Sequence, residues 1–250
     1  MRHLVILLIA FGLAGAALPA AAQQAVQREL VYNFSVGITN DTHDTDMNSR
    51  LIGAPNASGG SGAEGSGDTS YMGVASDTGT ITVDAFGVEP DGGLVTKVSE
   101  SAQRGNRSAA PVECVVYPTT NVICAQGQVN PEEMSVLRTL SPKFFDPSAL
   151  DAKRHWHEGN AAAGVSLDFT VTGISGNTAT ISENNDQKIA GGQGGTVHGT
   201  ATFTYDMAKT ITTQMKEYDT IRQQTGPGQY ADITVDVTAS LNTDSAAAKH

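Results

Sequence analysis

The strongest constraint in this sequence is the alternation of apolar and polar side chains over long stretches. In the first of these, Leu30, Tyr32, Phe34, Val36 and Ile38 occupy every second position, with polar or small residues between them. Because successive side chains of a strand point to opposite faces of a sheet, this pattern predicts a strand with one apolar face. The same period returns in four further stretches: Ile81, Val83 and Ala85; Val165, Leu167, Phe169 and Val171; Val197, Ala201, Phe203 and Tyr205; Ile233, Val235, Val237, Ala239 and Leu241.

Turn signals separate these stretches and predict how the strands are connected. They are Asp77-Thr78-Gly79, Asp91-Gly92-Gly93, Ser175-Gly176-Asn177, Asp206-Met207 and Gly226-Pro227-Gly228. Short connections join antiparallel neighbours, whereas parallel strands need helical crossovers, which are mostly missing here. We therefore predict a mainly β protein: a curved antiparallel sheet, either a half-barrel or an open barrel, formed from two strand-rich halves.

One short helix is predicted between the two strand-rich halves. Asn130 is a suitable N-cap, Pro131 suits the first helical position, and acidic residues follow at the positive end of the helix dipole. An apolar face is formed by Met134, Leu137 and Leu140. Because a helix of this length is marginal alone, we expect it to pack this face on the sheet, together with Phe144 and Phe145.

The N-terminal residues predict export. A basic start at Arg2 and His3 precedes an apolar run that is too short to span a bilayer comfortably, and Ala20 and Ala22 satisfy the small-residue rule for cleavage. We interpret residues 1–22 as a signal peptide and expect a periplasmic or extracellular protein with no transmembrane segment after cleavage. Residues 23–242 are predicted to form a single β-rich domain, with a flexible Gly/Ser loop at 53–68 and a disordered tail at 243–250.

Charge excludes some classes of partner. The chain has 26 Asp and Glu residues against 15 Lys and Arg residues, for a net charge of −11. Nucleic acids and anionic membrane surfaces are bound through clustered basic residues, so neither is expected as a partner.

The two cysteines, Cys114 and Cys124, flank a segment with a turn at Pro118-Thr119-Thr120. They can therefore face each other across a hairpin, and in an oxidising compartment we expect a disulfide. The alternative is a pair of small buried thiols.

Two clusters carry the ligand types that metals prefer. Asp44, Asp46 and Asn48 imitate the first ligands of a calcium loop, but Ser49 and Pro55 stand where such a loop requires Gly and Glu. His155 and His157 would lie on one side of an extended segment, where His43 or His198 could join them. The simpler interpretations are a solvated acidic turn and two histidines at the rim of a buried Trp156.

Catalytic motifs are absent from the sequence. Neither Gly-x-Ser-x-Gly nor His-Glu-x-x-His occurs, and the glycine-rich segment 191–195 lacks the spacing of a nucleotide-binding loop. We expect a non-catalytic protein without a cofactor; a secreted hydrolase or a metal-binding protein is a minor alternative. An outer-membrane barrel is disfavoured by the mid-chain helix and by the small number of aromatic residues.

The order of these features resembles exported bacterial β-sheet proteins of unknown function that are themselves similar to the periplasmic lipoprotein-carrier half-barrels. The resemblance is carried by Ala20-Ala21-Ala22, the helix Pro131 to Leu140 between two strand groups, Trp156 ahead of the strand Val165 to Thr172, and the long closing strands. It implies an apolar hollow that shelters an acyl chain or another apolar small molecule. We expect Phe34, Phe169 and Phe203 to line this cleft. The alternative function is a surface or structural protein-interaction module.

Overall fold

The computed structural model describes residues 26–44, 71–102, 110–119, 121–125, 129–145, 154–160, 164–189, 194–226 and 228–246. The predicted signal peptide and the predicted Gly/Ser loop lie outside them. The described residues contain one helix, α1 (Pro131–Thr139). The strands are β1 (Arg28–Asp44), β2 (Tyr71–Val88), β3 (Leu94–Ala102), β4 (Val112–Val116), β5 (Val122–Cys124), β6 (His155–Asn160), β7 (Val165–Ser175), β8 (Thr178–Ile189), β9 (Gly195–Asp206), β10 (Ile211–Gly226) and β11 (Gln229–Asp244).

All the strands belong to one antiparallel sheet, as the alternation and the turn signals predict. Its order is β5-β4-β3-β2-β1-β11-β10-β9-β8-β7-β6, so the first and last strands of the chain pair at its centre. The sheet is open: β5 and β6 are its two edges, and no strand pairing joins them in the part of the chain that is described. The predicted class, a curved antiparallel sheet with one short helix, is confirmed.

Two boundaries differ from the predictions. Asp77-Thr78-Gly79 is not a turn but lies within β2, where Gly79 pairs with Ala102 of β3. Gly79 lets the neighbouring backbone pass close by, because a Cβ there would lie 2.0 Å from the carbonyl oxygen of Ser101. At the other end of the chain, β11 continues to Asp244, two residues into the segment predicted as a tail.

The inward-facing side chains form a continuous core on the concave face. Leu30, Tyr32 and Phe34 of β1 are at most 5% exposed, and the alternating residues of the other strands extend this core. α1 lies across the face, where it contacts β11, β1, β10, β3 and β5, and its Val136 and Leu137 are fully buried. Met134 is partly buried, so the predicted packing of the helix on the sheet is confirmed.

The disulfide is confirmed: Cys114 of β4 is bonded to Cys124 of β5, and the two residues are partners in the strand register. β5 has only three residues, so few backbone hydrogen bonds hold this edge. The bond closes the β4–β5 hairpin, and closing a loop of this size contributes about 3 kcal/mol in the chain-entropy model.

Candidate functional site

The three phenylalanines predicted to line a cleft all face the concave side, but they are covered. Phe34 is 5% exposed, Phe169 0% and Phe203 2%. Phe144, which follows α1, packs edge-on against Phe169 and Phe203, with ring centroids 5.8 Å and 5.1 Å away. The protein's own chain therefore fills the space above these rings.

Trp156 belongs to the same aromatic cluster. Its ring stacks on Phe169 at 4.8 Å with an interplanar angle of 7°, and Phe145 meets it edge-on at 6.0 Å. Burial of Trp156 between the sheet and the segment after α1 anchors β6, as predicted for this residue.

Towards one end of the sheet the concave face is less covered. Here inward-facing aliphatic side chains are only partly buried, in contrast to the inward-facing residues near α1. Ile221 of β10 pairs with Val197 of β9 and Ile233 of β11, so these three form a row across the sheet. We name this surface the aliphatic end: Ile38, Val165, Val197, Ile221 and Ile233. Gln187 of β8 lies between Val165 and Val197 in the strand register, so it adds one polar side chain to this surface.

Between α1 and the aliphatic end lies a buried charged cluster. The Arg138 guanidinium on α1 donates to Glu183 of β8 at 2.6 Å and to Glu217 of β10 at 3.4 Å. Burial disfavours the charged form of every group in this cluster. It raises the pKa of Glu183, although the neighbouring Arg138 guanidinium acts to lower it. Its second oxygen, Oε2, is buried without a hydrogen-bond partner.

Asp219 extends the cluster towards the aliphatic end. Its carboxylate lies over Gly199 of β9, where an added Cβ would meet Asp219 Oδ1 at 1.7 Å. Burial, and then the neighbouring Glu217 carboxylate, raise the pKa of Asp219 far above its ordinary value. Oδ1 is buried and has no hydrogen-bond partner. We refer to Glu183, Glu217 and Asp219 as the carboxylate cluster.

A second acidic group lies at the N-terminus of α1. Asn130 donates its side-chain amide to Glu100 of β3 at 2.9 Å and its backbone N–H to Glu133 at 2.8 Å. Glu132 and Glu133, the acidic residues predicted at the positive end of the helix dipole, are 5% and 2% exposed. Burial raises the pKa of Glu133 to about 6 and that of Glu132 to about 7, and the Glu100 carboxylate adds to both shifts.

The histidines lie on the outer face. His157 Nδ1 is 3.0 Å and His155 Nε2 is 3.5 Å from Asp168 Oδ1, so the two share a side as predicted. His198 instead contacts Asp186 at 2.5 Å. Histidines 157 and 198 line a depression of about 530 Å³ at the end of β6 to β9.

The predicted metal ligands are not assembled in the described residues, which contain no group of three or more His, Cys, Asp or Glu residues that could hold a metal ion. Asp46 and the side chain of Asp44 lie outside the described part of the chain, so their predicted role stays untested.

The carboxylate cluster was missed by the sequence analysis, although the sequence carries a signal for it. Glu183 follows Ala179 and Ile181 at the same inward period, and Glu217 follows Met215. A charged residue at an inward position of a strand must be paired or neutralised, so this pattern indicates a buried ionic site.

The fold and these sites define a class: an open antiparallel sheet whose concave face holds a transverse helix, a buried ionic cluster and a partly exposed aliphatic end. No helix in the described part of the chain is long and apolar enough to cross a membrane. No protein-family model and no curated protein matches the sequence.

Among solved structures, the chain is similar to a structure of lipovitellin that concerns its lipid–protein interactions. The identity is 8% and the TM-score 0.42, over 86% of this chain and 25% of that chain. The match thus spans about a quarter of lipovitellin, and at this TM-score it carries no argument about function. The resemblance to the lipoprotein carriers has no support from a family or a sequence relative and stays a prediction.

Proposed function

We propose that this protein binds an apolar small molecule, such as a lipid acyl chain, at the aliphatic end of its concave face. The observation that supports this proposal is the contrast in burial along the same strands. Phe203, which contacts Phe144, and Met215 are buried, whereas Val197 and Ile221 remain partly exposed. Covering such side chains with an apolar ligand contributes about 25 cal/mol per Å² of apolar surface removed from water.

The cleft expected at Phe34, Phe169 and Phe203 is the less favoured location. A ligand there would have to displace Phe144, which contacts two of these rings at 5.8 Å and 5.1 Å. Moving the buried Phe144 side chain into water costs about 1.5–3 kcal/mol. The aliphatic end requires no such displacement.

We also propose that the protein is exported and works without catalysis. The predicted signal peptide motivates the first part, and the Cys114–Cys124 disulfide supports it, because disulfides persist in oxidising compartments. Holding an apolar ligand requires burial and shape, and it needs neither a nucleophile nor a cofactor.

Native mass spectrometry of the purified protein tests the proposed function, followed by titration calorimetry with decanol. We expect bound lipid or decanol, and we expect Ile221→Asp to weaken decanol binding by about tenfold or more, because it places a charge in an apolar contact. The matched control is Ile174→Asp, since Ile174 is 47% exposed on β7 and should leave binding unchanged.

Absence of bound lipid, together with no decanol binding and no thermal shift with fatty acids or phospholipids, would overturn the proposed function. That result would favour the interaction-module alternative.

A further inference from the structure

We propose that α1 is a pH-sensitive cover of the concave face. Its N-terminal end is released from β3 as the solution changes from acidic to alkaline, whereas its C-terminal end stays attached to the sheet. This inference concerns how much of the concave face is covered, and it does not depend on ligand binding at the aliphatic end.

The N-terminal end of α1 is attached to β3 through carboxyl groups. Glu100 of β3 accepts a hydrogen bond from the Asn130 side chain at 2.9 Å, and its carboxyl group is also hydrogen-bonded to that of Glu132 on α1. Glu133 interacts with Glu100 and accepts from the Asn130 backbone N–H at 2.8 Å. We refer to Glu100, Glu132 and Glu133 as the helix-start glutamates. All three are at most 5% exposed, so water hardly reaches this contact between helix and strand.

The hydrogen bond between Glu100 and Glu132 requires a proton. An ionised carboxylate only accepts hydrogen bonds, so one of the two groups must be protonated in order to donate. When that proton leaves, two like charges face each other in a poorly hydrated contact, where their repulsion is stronger than in water. The contact between α1 and β3 is therefore attractive while the proton is present and repulsive once it is lost.

This proton is lost near neutral pH. Burial, assisted by the other two helix-start glutamates, raises the pKa of Glu132 to about 7, and burial assisted by Glu100 raises that of Glu133 to about 6. In a released helix both carboxyls return to water and to their ordinary pKa of 4.5. The attached form therefore binds more protons, so it is favoured in acid and loses its advantage as the pH rises through these values.

The other elements that α1 contacts place their titratable groups elsewhere. The carboxylate cluster of β8 and β10 faces Arg138, and Tyr32 of β1 donates to the carbonyl oxygen of Thr212. The inward-facing residues of β11 are apolar, and Cys124 of β5 is held in the disulfide. Within the described residues, the side-chain charges that act on Glu132 are those of the other two helix-start glutamates.

The C-terminal end of α1 is held by a contact with the opposite response to pH. Arg138 donates to Glu183 at 2.6 Å and to Glu217 at 3.4 Å. A guanidinium keeps its proton over this range of pH, and burial raises the pKa of Glu183, so a rise in pH ionises Glu183 more completely. Rising pH thus preserves the ion pair at this end while it weakens the contact at the other.

Release of the N-terminal end would uncover apolar surface. Val136 in the middle of α1 is fully buried, and so is Val98, an inward-facing residue of β3, which α1 contacts. The pH of the compartment would therefore control how much of the apolar concave face is exposed.

Hydrogen exchange of the full chain, measured by mass spectrometry, tests this inference. We expect the protection factors of α1 amides, corrected for the intrinsic exchange rate at each pH, to fall by about tenfold or more between pH 5.5 and pH 8.5. The central strands β1 and β11 should keep higher protection factors than α1 at both pH values, because a local opening leaves the sheet folded.

Two isosteric variants address the shared proton. Glu132→Gln and Glu100→Gln each supply an amide N–H that donates to the remaining carboxylate at any pH, so each should keep α1 protected at pH 8.5. The variants lie on different elements, so failure of one to fold leaves the other as the test. Glu29→Gln is the matched control, because Glu29 is exposed on β1 and the change in net charge is the same. It should retain the pH dependence.

Protection of α1 that does not change with pH, or a loss at pH 8.5 that persists in the Gln variants, would overturn this inference. Equal protection factors for α1 and the central strands would also overturn it, since the helix would then open only when the whole molecule unfolds. None of these measurements involves a ligand, so the proposed function at the aliphatic end stands or fails separately.

Discussion

Arg138 on α1 and Glu183 on β8 form a hydrogen-bonded ion pair of 2.6 Å on the concave face, where the Glu183 side chain is 1% exposed. The two residues are 45 positions apart in the chain. Glu217 on β10 lies on the other side of the guanidinium at 3.4 Å. The pair therefore fixes the C-terminal half of α1 over strands from the second half of the sheet.

Replacing Arg138 by Met should destabilise the protein strongly. The substitution keeps much of the side-chain volume but leaves Glu183 and Glu217 buried without a counter-charge, which costs about 3–5 kcal/mol. Urea denaturation followed by circular dichroism measures this loss.

Arg222→Met is the control, because Arg222 contacts Asp232 at 2.8 Å with its side chain 62% exposed. Exposed ion pairs contribute little, so we expect only a small change. Equal effects of the two substitutions would contradict a stabilising role of the buried pair.

Stability should fall as the pH rises from about 5 to 8. Burial raises the pKa of Glu133 to about 6 and that of Glu132 to about 7 from an ordinary value of 4.5. The folded protein thus retains protons that the unfolded chain has released above pH 4.5, so the resulting stabilisation is complete at low pH and is lost as the pH rises through these values. Thermal unfolding at a series of pH values measures the melting temperature.

Glu132→Gln should flatten this dependence, since the amide cannot lose a proton. Asp244 has the opposite effect on stability, but only in acid. Hydrogen bonds from Arg28 hold the pKa of Asp244 below its ordinary value, so the stabilisation that they give is lost only as the pH falls through that pKa. A melting temperature that rises between pH 5 and pH 8 in the unmodified protein would show that these carboxyls are ionised in the fold.

Phe144→Ala should cost about 3–5 kcal/mol, because Phe144 is a buried ring whose removal leaves a cavity. Phe144 is 2% exposed and contacts Phe169, Phe203 and Tyr205. An apolar cavity of this kind stays dry and binds small aromatic molecules, so added benzene should partly restore the melting temperature. No recovery with benzene would mean that the segment after α1 collapses onto the sheet.

Gly79→Ala should be destabilising by about 1–3 kcal/mol, because the new methyl group overlaps backbone atoms of β3. An added Cβ at Gly79 would lie 2.0 Å from the carbonyl oxygen of Ser101. Gly37→Ala on β1 is the matched control, since a Cβ there meets nothing within 4 Å. We expect Gly37→Ala to be neutral or stabilising by up to about 1 kcal/mol, and equal unfolding midpoints for the two variants would refute the close approach.

The strands that alternate strictly could be predicted, whereas β10 could not. In β10 the inward positions after Met215 hold Glu217 and Asp219, so the apolar signal disappears although the strand is long. The turn predicted at Asp77-Thr78-Gly79 failed for a related reason: glycine permits both a turn and a close contact between strands, and local sequence does not separate the two.

The candidate site could be predicted only in part. The sequence placed Phe34, Phe169 and Phe203 on the apolar face, and all three lie there. It also predicted that Phe144 and Phe145 pack with the helix, but not that Phe144 would cover Phe169 and Phe203. The less covered region lies instead at Ile221 and Ile233, which are only partly buried.

The sequence by itself determined which side of each regular strand is apolar, where the helix begins, and that Cys114 and Cys124 can meet. These are local properties, since they follow from side-chain period, capping and a short loop. Only the tertiary structure decided that Arg138 meets Glu183 and that Asp219 lies over Gly199. Such contacts join residues distant in the chain, and their energies depend on burial, which exists only once the sheet has formed and the helix lies across it.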